Sequence, residues 1–248
     1  MLDLHAHVLP AVDDGAIDLP EALAMLRAAV ADGTRVLCAT PHALGPTYDV
    51  ARERAEIAVA ALRVAAAEAG IDLDLRLGGE VWYRTDLDAL ARAGRLPTFS
   101  PPGSPPGRRY VLVEFPPTHV PPEASEVLFR LRLEGVTPVI AHPERNPSFW
   151  HKPADAVALR TQGALLQVTA SALTGGFRDA ARDCAKALAR AGAIDLIASD
   201  CHHADRRPPG LASARKVLER WAGRAVAERA TETVPAALLA GAAVPPPA

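Results

Sequence analysis

Two histidines one residue apart, His5-Ala-His7, and then Asp13-Asp14-Gly15 lie near the start of this chain. Imidazole and carboxylate are ligands for divalent transition metals, and the same residue types return along the sequence. His42 ends Ala39-Thr-Pro-His42, Glu80 ends Leu77-Gly-Gly-Glu80 and Glu114 ends Val111-Leu-Val-Glu114. His142 ends Ile140-Ala-His142, and Asp200 and His202 end Ala198-Ser-Asp-Cys-His202. One such residue at a strand end reads as structural. The set is hard to explain by packing, because each charge needs a partner once buried. So many ligands exceed the needs of one ion and predict a cluster of two to three ions bridged by carboxylate. Such a cluster lowers the pKa of a bridging water, giving hydroxide near neutral pH, and neutralises phosphoryl oxygens during in-line displacement. Mixed His and carboxylate ligands without Cys suit Mn, Fe, Co or Zn rather than a structural zinc site. Arg145 follows His142 by three residues, and Arg206 and Arg207 follow His202. A planar guanidinium binds phosphate bidentately, which makes Arg145 and Arg207 the candidate phosphate clamp.

These residues need a frame that gathers them. Strand candidates are Leu2–His7, Arg35–Thr40, Asp74–Gly79, Tyr110–Phe115, Val136–Ala141, Ala164–Thr169 and Ile194–Ser199, apolar and Val/Ile/Leu-rich as buried parallel strands are. Six of these seven ends carry a metal-ligand residue type; only Val168–Thr169 lacks one. Helices are expected at Leu19–Ala31, Val50–Ala69, Asp86–Ala93, Pro122–Glu134, Pro153–Thr161, Arg178–Ala191 and Pro208–Glu228. The alternation predicts an α/β fold with a parallel sheet. Seven units without an early G-x-G-x-x-G turn favour a barrel over an open dinucleotide-binding sheet. Pro97–Gly107 reads as a Pro-rich loop inserted within a single domain spanning residues 1–240, with residues 241–248 a disordered Pro-rich tail.

Charged residues at 23% and apolar residues at 49% are ordinary for a globular chain. A net charge of −2 gives no general attraction to nucleic acid or to an anionic membrane, so neither is expected as a partner. No apolar run is long enough to span a bilayer, and no signal peptide is visible. Three cysteines make a poor disulfide framework and point to reduced thiols in a cytoplasmic protein.

Those cysteines offer a rival chemistry. Cysteine-based tyrosine phosphatases use C-x5-R, and that spacing occurs twice, Cys184 to Arg190 and Cys201 to Arg207. The chemistry also needs a thiolate at a helix N-terminus, in a loop whose amides cradle phosphate. Cys184 reads as helix interior. The segment after Cys201 has no Gly to wrap an anion, and Asp200 and Asp205 would repel one. The spacing is read as coincidence.

The segments Asp3–Ala16, Ala39–His42, Gly79–Val81, Arg109–Pro116, Pro138–Arg145, Gln167–Ser171 and Ala198–His202 together resemble the polymerase and histidinol phosphatase (PHP) superfamily. More narrowly they are similar to the CpsB/YwqE-type bacterial protein-tyrosine phosphatases. The resemblance implies a distorted seven-stranded TIM-like β/α barrel with a trinuclear centre. By position His5, His7, Glu80 and Asp200 would hold one ion, Glu80, Glu114 and His142 a second, and Asp14, His42 and His202 a third, with Mn foremost and Co, Fe or Zn as alternatives. Arg145 and Arg207 match the family's phosphate-contacting arginines. The implied substrate is phosphotyrosine on the C-terminal tail of a bacterial tyrosine kinase controlling capsule or exopolysaccharide export. A small-molecule phosphomonoesterase of the histidinol-phosphatase type and a non-catalytic tail-binding regulator stand as alternatives. The pattern departs at Ala43, where relatives often carry a second His, at His203, where Asn is common, and in the Pro97–Gly107 loop.

Overall fold

The computed structural model describes residues 1–246. Its strands are β1 Leu2–Ala6, β2 Val36–Ala39, β3 His42–Ala43, β4 Asp74–Leu77, β5 Glu80–Trp82, β6 Arg109–Glu114, β7 Val136–Ala141, β8 Leu165–Thr169 and β9 Leu196–Ala198. They form a three-stranded sheet, β1-β2-β4, and a six-stranded sheet, β3-β5-β6-β7-β8-β9. Every strand pair is parallel, as expected where helices connect successive strands. The molecule is thus an α/β fold with parallel sheets.

Two of the expected strands, Arg35–Thr40 and Asp74–Gly79, are each followed after a break by a further short strand, β3 and β5. Pro41 has no N–H to donate to a ladder and separates β2 from β3. Gly78-Gly79 separates β4 from β5; a Cβ on Gly79 would lie 2.6 Å from Pro97 Cγ, so only glycine lets the chain pass there. Hydrogen bonds from Gly78 N to Ala39 O (2.8 Å) and from Glu80 N to Pro41 O (3.1 Å) carry the pairing across both breaks. At the other edge β9 returns to β1. Ala6 bridges Cys201 in parallel, and Asp200 N and His7 N donate to His5 O (2.8 Å) and Cys201 O (2.9 Å).

Helices lie where the apolar spacing places them, with ends within three residues of those expected except at the C-terminus of the last: Leu19–Ala31, Arg52–Glu68, Leu87–Arg92, Ala124–Leu133, Pro153–Thr161, Asp179–Arg190 and Leu211–Ala222. Asp18 caps the first by accepting from Glu21 N (2.9 Å), and Glu21 returns a bond to Ile17 N (3.0 Å), a reciprocal cap. The last helix stops earlier than expected. Gly223, at φ 96°, breaks it, and a new helical run starts at Arg224. Short helices at Pro147–His151 and Ala170–Thr174 had no signal, being too short to show a period.

Side-chain alternation sorts chemistry from packing. On β6, Tyr110, Leu112 and Glu114 share a face, and on β8 so do Leu165, Gln167 and Thr169. Toward the strand starts that face is apolar: Leu4, Cys38, Tyr110, Leu112, Val139 and Leu196 pack in one cluster, closed by Phe99, Val234 and Leu238. Toward the strand ends the same face turns polar. The Pro97–Gly107 loop precedes β6 and so sits at the start end, away from Glu114. Ser100 Oγ donates there to Arg108 O (2.8 Å) and Leu238 O (3.2 Å).

Residues 242–245 of the expected Pro-rich tail make contacts at this end. Tyr110 Oη donates to Ala242 O (2.7 Å), Arg229 donates to Pro245 O (3.0 Å), and Val244 packs on the apolar cluster. Composition could not reveal that distant side chains capture these carbonyls. Residues 247–248 of that expectation lie outside the described residues. Among the described residues no helix is long and apolar enough to cross a membrane.

Candidate metal centre

β1 contains one extra residue between Asp3 and Ala6 relative to β2, a bulge. Leu4 packs in the apolar cluster with Leu112 and Leu196, while the next residue, His5, reaches Gln167. His7 lies one residue past the strand, and the two imidazoles meet with Nε2 atoms 3.2 Å apart. Gly15 lets the following loop fold back: Ala16 N donates to His7 O (3.1 Å), and a Cβ on Gly15 would fall 2.0 Å from that oxygen.

All nine candidate ligands converge. Four overlapping groups have donor atoms within 4.8 Å of one another: His7, Asp14, His42 and His202; His5, His7 and Asp200; His5, Glu80 and His142; His42, Glu80 and Glu114. His5, His7, His42 and Glu80 each belong to two groups, so this is one continuous cluster. Glu80 is its centre, with oxygens 3.3 Å from His5 Nε2, 3.3 Å from His7 Nε2, 3.2 Å from His42 Nδ1 and 3.0 Å from His142 Nε2. Asp14 Oδ1 lies 3.4 Å from His42 Nε2 and 3.5 Å from His202 Nε2.

The supporting bonds determine which nitrogens face inward. His5 Nδ1 pairs with Gln167 Oε1 (2.9 Å), His7 Nδ1 with Asp13 Oδ2 (2.8 Å) and His202 Nδ1 with Asp200 O (3.0 Å). Each partner is an acceptor, so each Nδ1 carries the proton and each Nε2 lone pair points into the cluster. Two lone pairs facing each other at 3.2 Å repel unless a cation sits between such groups, and metal-bound histidines are held by this kind of second bond. The donor set of imidazole and carboxylate, with Cys201 buried behind it, fits hard or borderline divalent ions.

The electrostatics agree. Burial opposes the charged forms of His5 and His7, yet Glu80 and Asp200 around His5, and Asp13 and Glu80 around His7, raise both pKa values. Burial likewise opposes the charge on Glu80, but the histidines hold its carboxyl well below the usual range. His202 and His42 depress Asp14. Glu114 is the exception, pushed up to about 7 by burial and by the charge on Glu80. Burial and Arg145 lower His142 to about 4. Burial lowers His202 as well, so the groups around Glu80, namely His5, His7 and His42, are the ones that favour positive charge there.

The arginines close one side. Arg145 Nη1 and Arg207 Nη2 (2.7 Å) both donate to Asp200 Oδ2, and the Arg145 guanidinium lies 4.9 Å from the Phe177 ring centroid. Beside them is a cleft of about 320 Å³ whose lining includes Glu114, Phe115, His142, Arg145, Trp150 and Phe177. A second, of about 220 Å³, is lined by Asp14, His42, Tyr48, Trp82 and Glu114. Arg206 pairs with Asp205 and leans on His203 instead, outside the cluster.

Comparison with known proteins adds a lineage. The family model for capsular polysaccharide synthesis, CpsB/CapC, matches residues 1–240. The chain belongs to the CpsB/CapC family. It is 33% identical to tyrosine-protein phosphatase YwqE of Bacillus subtilis over 232 residues, covering 94% of this chain and 89% of that protein. It is 30% identical to the putative tyrosine-protein phosphatase CapC of Staphylococcus aureus, over 84% of this chain and 79% of that one. Among solved structures it superposes with TM-score 0.88 and 32% identity on one from a study of YwqE from Bacillus subtilis and CpsB from Streptococcus pneumoniae, described as unique metal-dependent tyrosine phosphatases; 100% of this chain and 99% of that one are covered. A histidinol phosphate phosphatase from Lactococcus lactis, at 11% identity and TM-score 0.53 over 88% of this chain and 93% of that one, shares the fold alone.

In this CpsB/CapC chain the C-x5-R spacings are not nucleophile sites. Cys201 and Cys184 are buried, and burial raises both thiols, Cys184 to about 12. Several residues around the site escaped the sequence reading. Gln167 lay in a quoted segment but had no role until His5 was seen against it. Asp13 was visible only as part of Asp-Asp-Gly, where the spacing could not tell a ligand from its support. Tyr48 and Phe177 are loop aromatics without a pattern. Of the departures, His203 bonds Glu21 Oε1 (3.1 Å) and Ala43 lines the second cleft.

Proposed function

We propose that this chain is a metal-dependent phosphotyrosine-protein phosphatase, with His5, His7, Asp14, His42, Glu80, Glu114, His142, Asp200 and His202 as the ligands of two to three divalent ions, manganese foremost. The observation that carries the reading is the approach of Arg145 and Arg207 to one oxygen of Asp200, with Arg145 also lining the cleft beside Glu114 and His142. Divalent ions bound there supply an activated water and charge neutralisation for in-line displacement at phosphorus. The chain's own part is positional. Each guanidinium has N–H groups beyond the one on Asp200 and takes a non-bridging phosphoryl oxygen with them. Phe115, Trp150 and Phe177 wall a cleft suited to a flat apolar ring. The relatives named tyrosine-protein phosphatase support the same substrate class.

The substrate protein is proposed to be the tail of a bacterial tyrosine kinase in capsule or exopolysaccharide synthesis, which the family's description supports. The two sheets are proposed to be one distorted seven-stranded barrel, with residues 1–240 as one domain. The pairing carried across both strand breaks and the β9-to-β1 bridge support this. Free, buried cysteines support a cytoplasmic location.

The test is to strip the protein with a chelator, reload it with Mn, Co, Zn or Mg, and measure a phosphotyrosine peptide beside histidinol phosphate. The expected result is loss on chelation, recovery with Mn, and preference for the peptide, with Cys201→Ala largely active. Chelator-resistant activity that vanishes in Cys201→Ala overturns the mechanism. Preference for histidinol phosphate overturns the substrate, and tail binding without turnover makes the protein a regulator.

A further inference from the structure

β8 is the strand whose end carries no metal-ligand residue type, and Glu144 is a fully buried carboxylate with no part in the chemistry above. The two meet. Glu144 Oε1 accepts from the backbone N–H of Thr169 (2.9 Å) and from its hydroxyl (2.6 Å), and Thr169 is itself fully buried. The main-chain oxygen of Glu144 accepts from Trp150 Nε1 (2.6 Å). The residue is therefore held by side chain and backbone at once.

Its neighbours give this a consequence. Glu144 is the middle residue of the 3₁₀ turn Pro143–Arg145, entered through His142 at φ 29°. With three residues per turn, successive side chains in such a turn point about 120° apart. Glu144 anchored inward therefore directs Arg145 outward, toward Asp200 and the Phe177 ring. Resting on the phosphatase reading, we propose that Glu144 and Thr169 are positioning residues that set the angle of the Arg145 guanidinium. β8 then serves phosphate recognition through a neighbour rather than through a ligand of its own. A group displaced by even ~1 Å loses up to about a hundredfold in rate.

The test compares metal-loaded wild type, Thr169→Val, Thr169→Ser, Glu144→Gln and Arg145→Ala. KM for a phosphotyrosine peptide, the inhibition constant of inorganic phosphate and the metal content are read for each. Thr169→Val keeps the backbone bond and loses the hydroxyl. It is expected to raise KM and the phosphate constant about tenfold, with metal content as in wild type. Thr169→Ser and Glu144→Gln, which keep donor and acceptor respectively, recover most of that loss. On an Arg145→Ala background Thr169→Val adds nothing further, because both act on one group. An unchanged phosphate constant in Thr169→Val, a fall in kcat alone, or effects that multiply with Arg145→Ala overturn the proposal. If wild type turns over no phosphotyrosine peptide, the phosphatase reading fails, and calorimetric phosphate affinity of the same variants still decides the positioning role.

Discussion

Two aspartates flank β9, and each is gripped by two arginines, yet they do opposite work. Before the strand, Asp195 Oδ2 accepts from Arg160 Nε (2.9 Å) and Leu166 N (3.1 Å), and its Oδ1 accepts from Arg160 Nη2 (3.0 Å) and Arg229 Nη1 (3.4 Å). Both oxygens are saturated. After the strand, Arg145 and Arg207 share Oδ2 of Asp200, and Oδ1 is left facing His5 Nε2 at 3.4 Å and His7 Nε2 at 3.7 Å. Burial does not separate the two, since the carboxylates are 1% and 3% exposed. Saturation does. A carboxylate with every lone pair used is a strut, whereas one with an oxygen turned toward imidazole lone pairs is a ligand in waiting.

The sharpest way to break this contrast is Asp200→Asn, chosen because Asn tolerates the positive φ of 52° at that position. It is expected to lower kcat/KM on a phosphotyrosine peptide by roughly 10³-fold and to reduce bound metal, read by elemental analysis. A variant that keeps its metal and activity would make Asp200 a second strut. Arg145→Ala and Arg207→Ala should each cost about 10²-fold in kcat/KM with metal content intact, a split that Asp200→Asn cannot show. At the other end, Asp195→Asn should lower unfolding free energy by about 3 kcal/mol in a denaturant melt, because it leaves two guanidinium groups without their counter-charge. Its activity per folded molecule should hold; a large activity loss there would erase the distinction.

The smallest effect concerns Glu232, which lies where β1 and β2 start and pairs with the Met1 ammonium (3.2 Å) and Arg35 (2.6 Å). Burial works to raise its pKa, but Arg35 and the ammonium hold it below the ordinary value. A depressed carboxylate contributes stability above its unfolded value of 4.5, lost as pH falls through its lower folded value. Glu232→Gln should therefore remove at most about 1 kcal/mol, after solvent screening, of stability at pH 7, and should flatten the acid limb of the stability curve below pH 4.5.

Much of the site could be read from the chain because its ligands end strands, and strand ends are marked by apolar runs meeting polar residues. Glu114 and His142 are of this kind, and His42 and Glu80 come just after the ends of β2 and β4 although each opens a further short strand. Gln167 and Thr169 sit at equivalent positions but carry no ligand chemistry, so their partners, His5 and Glu144, had to be seen in space. The strands β3 and β5, beyond Pro41 and Gly78-Gly79, were not legible because two or three residues are too few to show a period. The contacts of Ala242 and Pro245 have no local signal because their partners, Tyr110 and Arg229, lie 132 and 16 residues away.

The sequence by itself determined which residue types stand at the strand ends, the helix and strand rhythm that spaces them, and through both the family. These are local properties, carried by periodicity and residue chemistry. Only the tertiary structure decided which aspartate is saturated and which is open, which histidine nitrogen faces inward, and that Glu144 looks into the core while Arg145 looks out. Those are properties of pairs brought together by the parallel sheets across large gaps in the chain. A hydrogen bond has no sequence signature when its two ends lie on different strands.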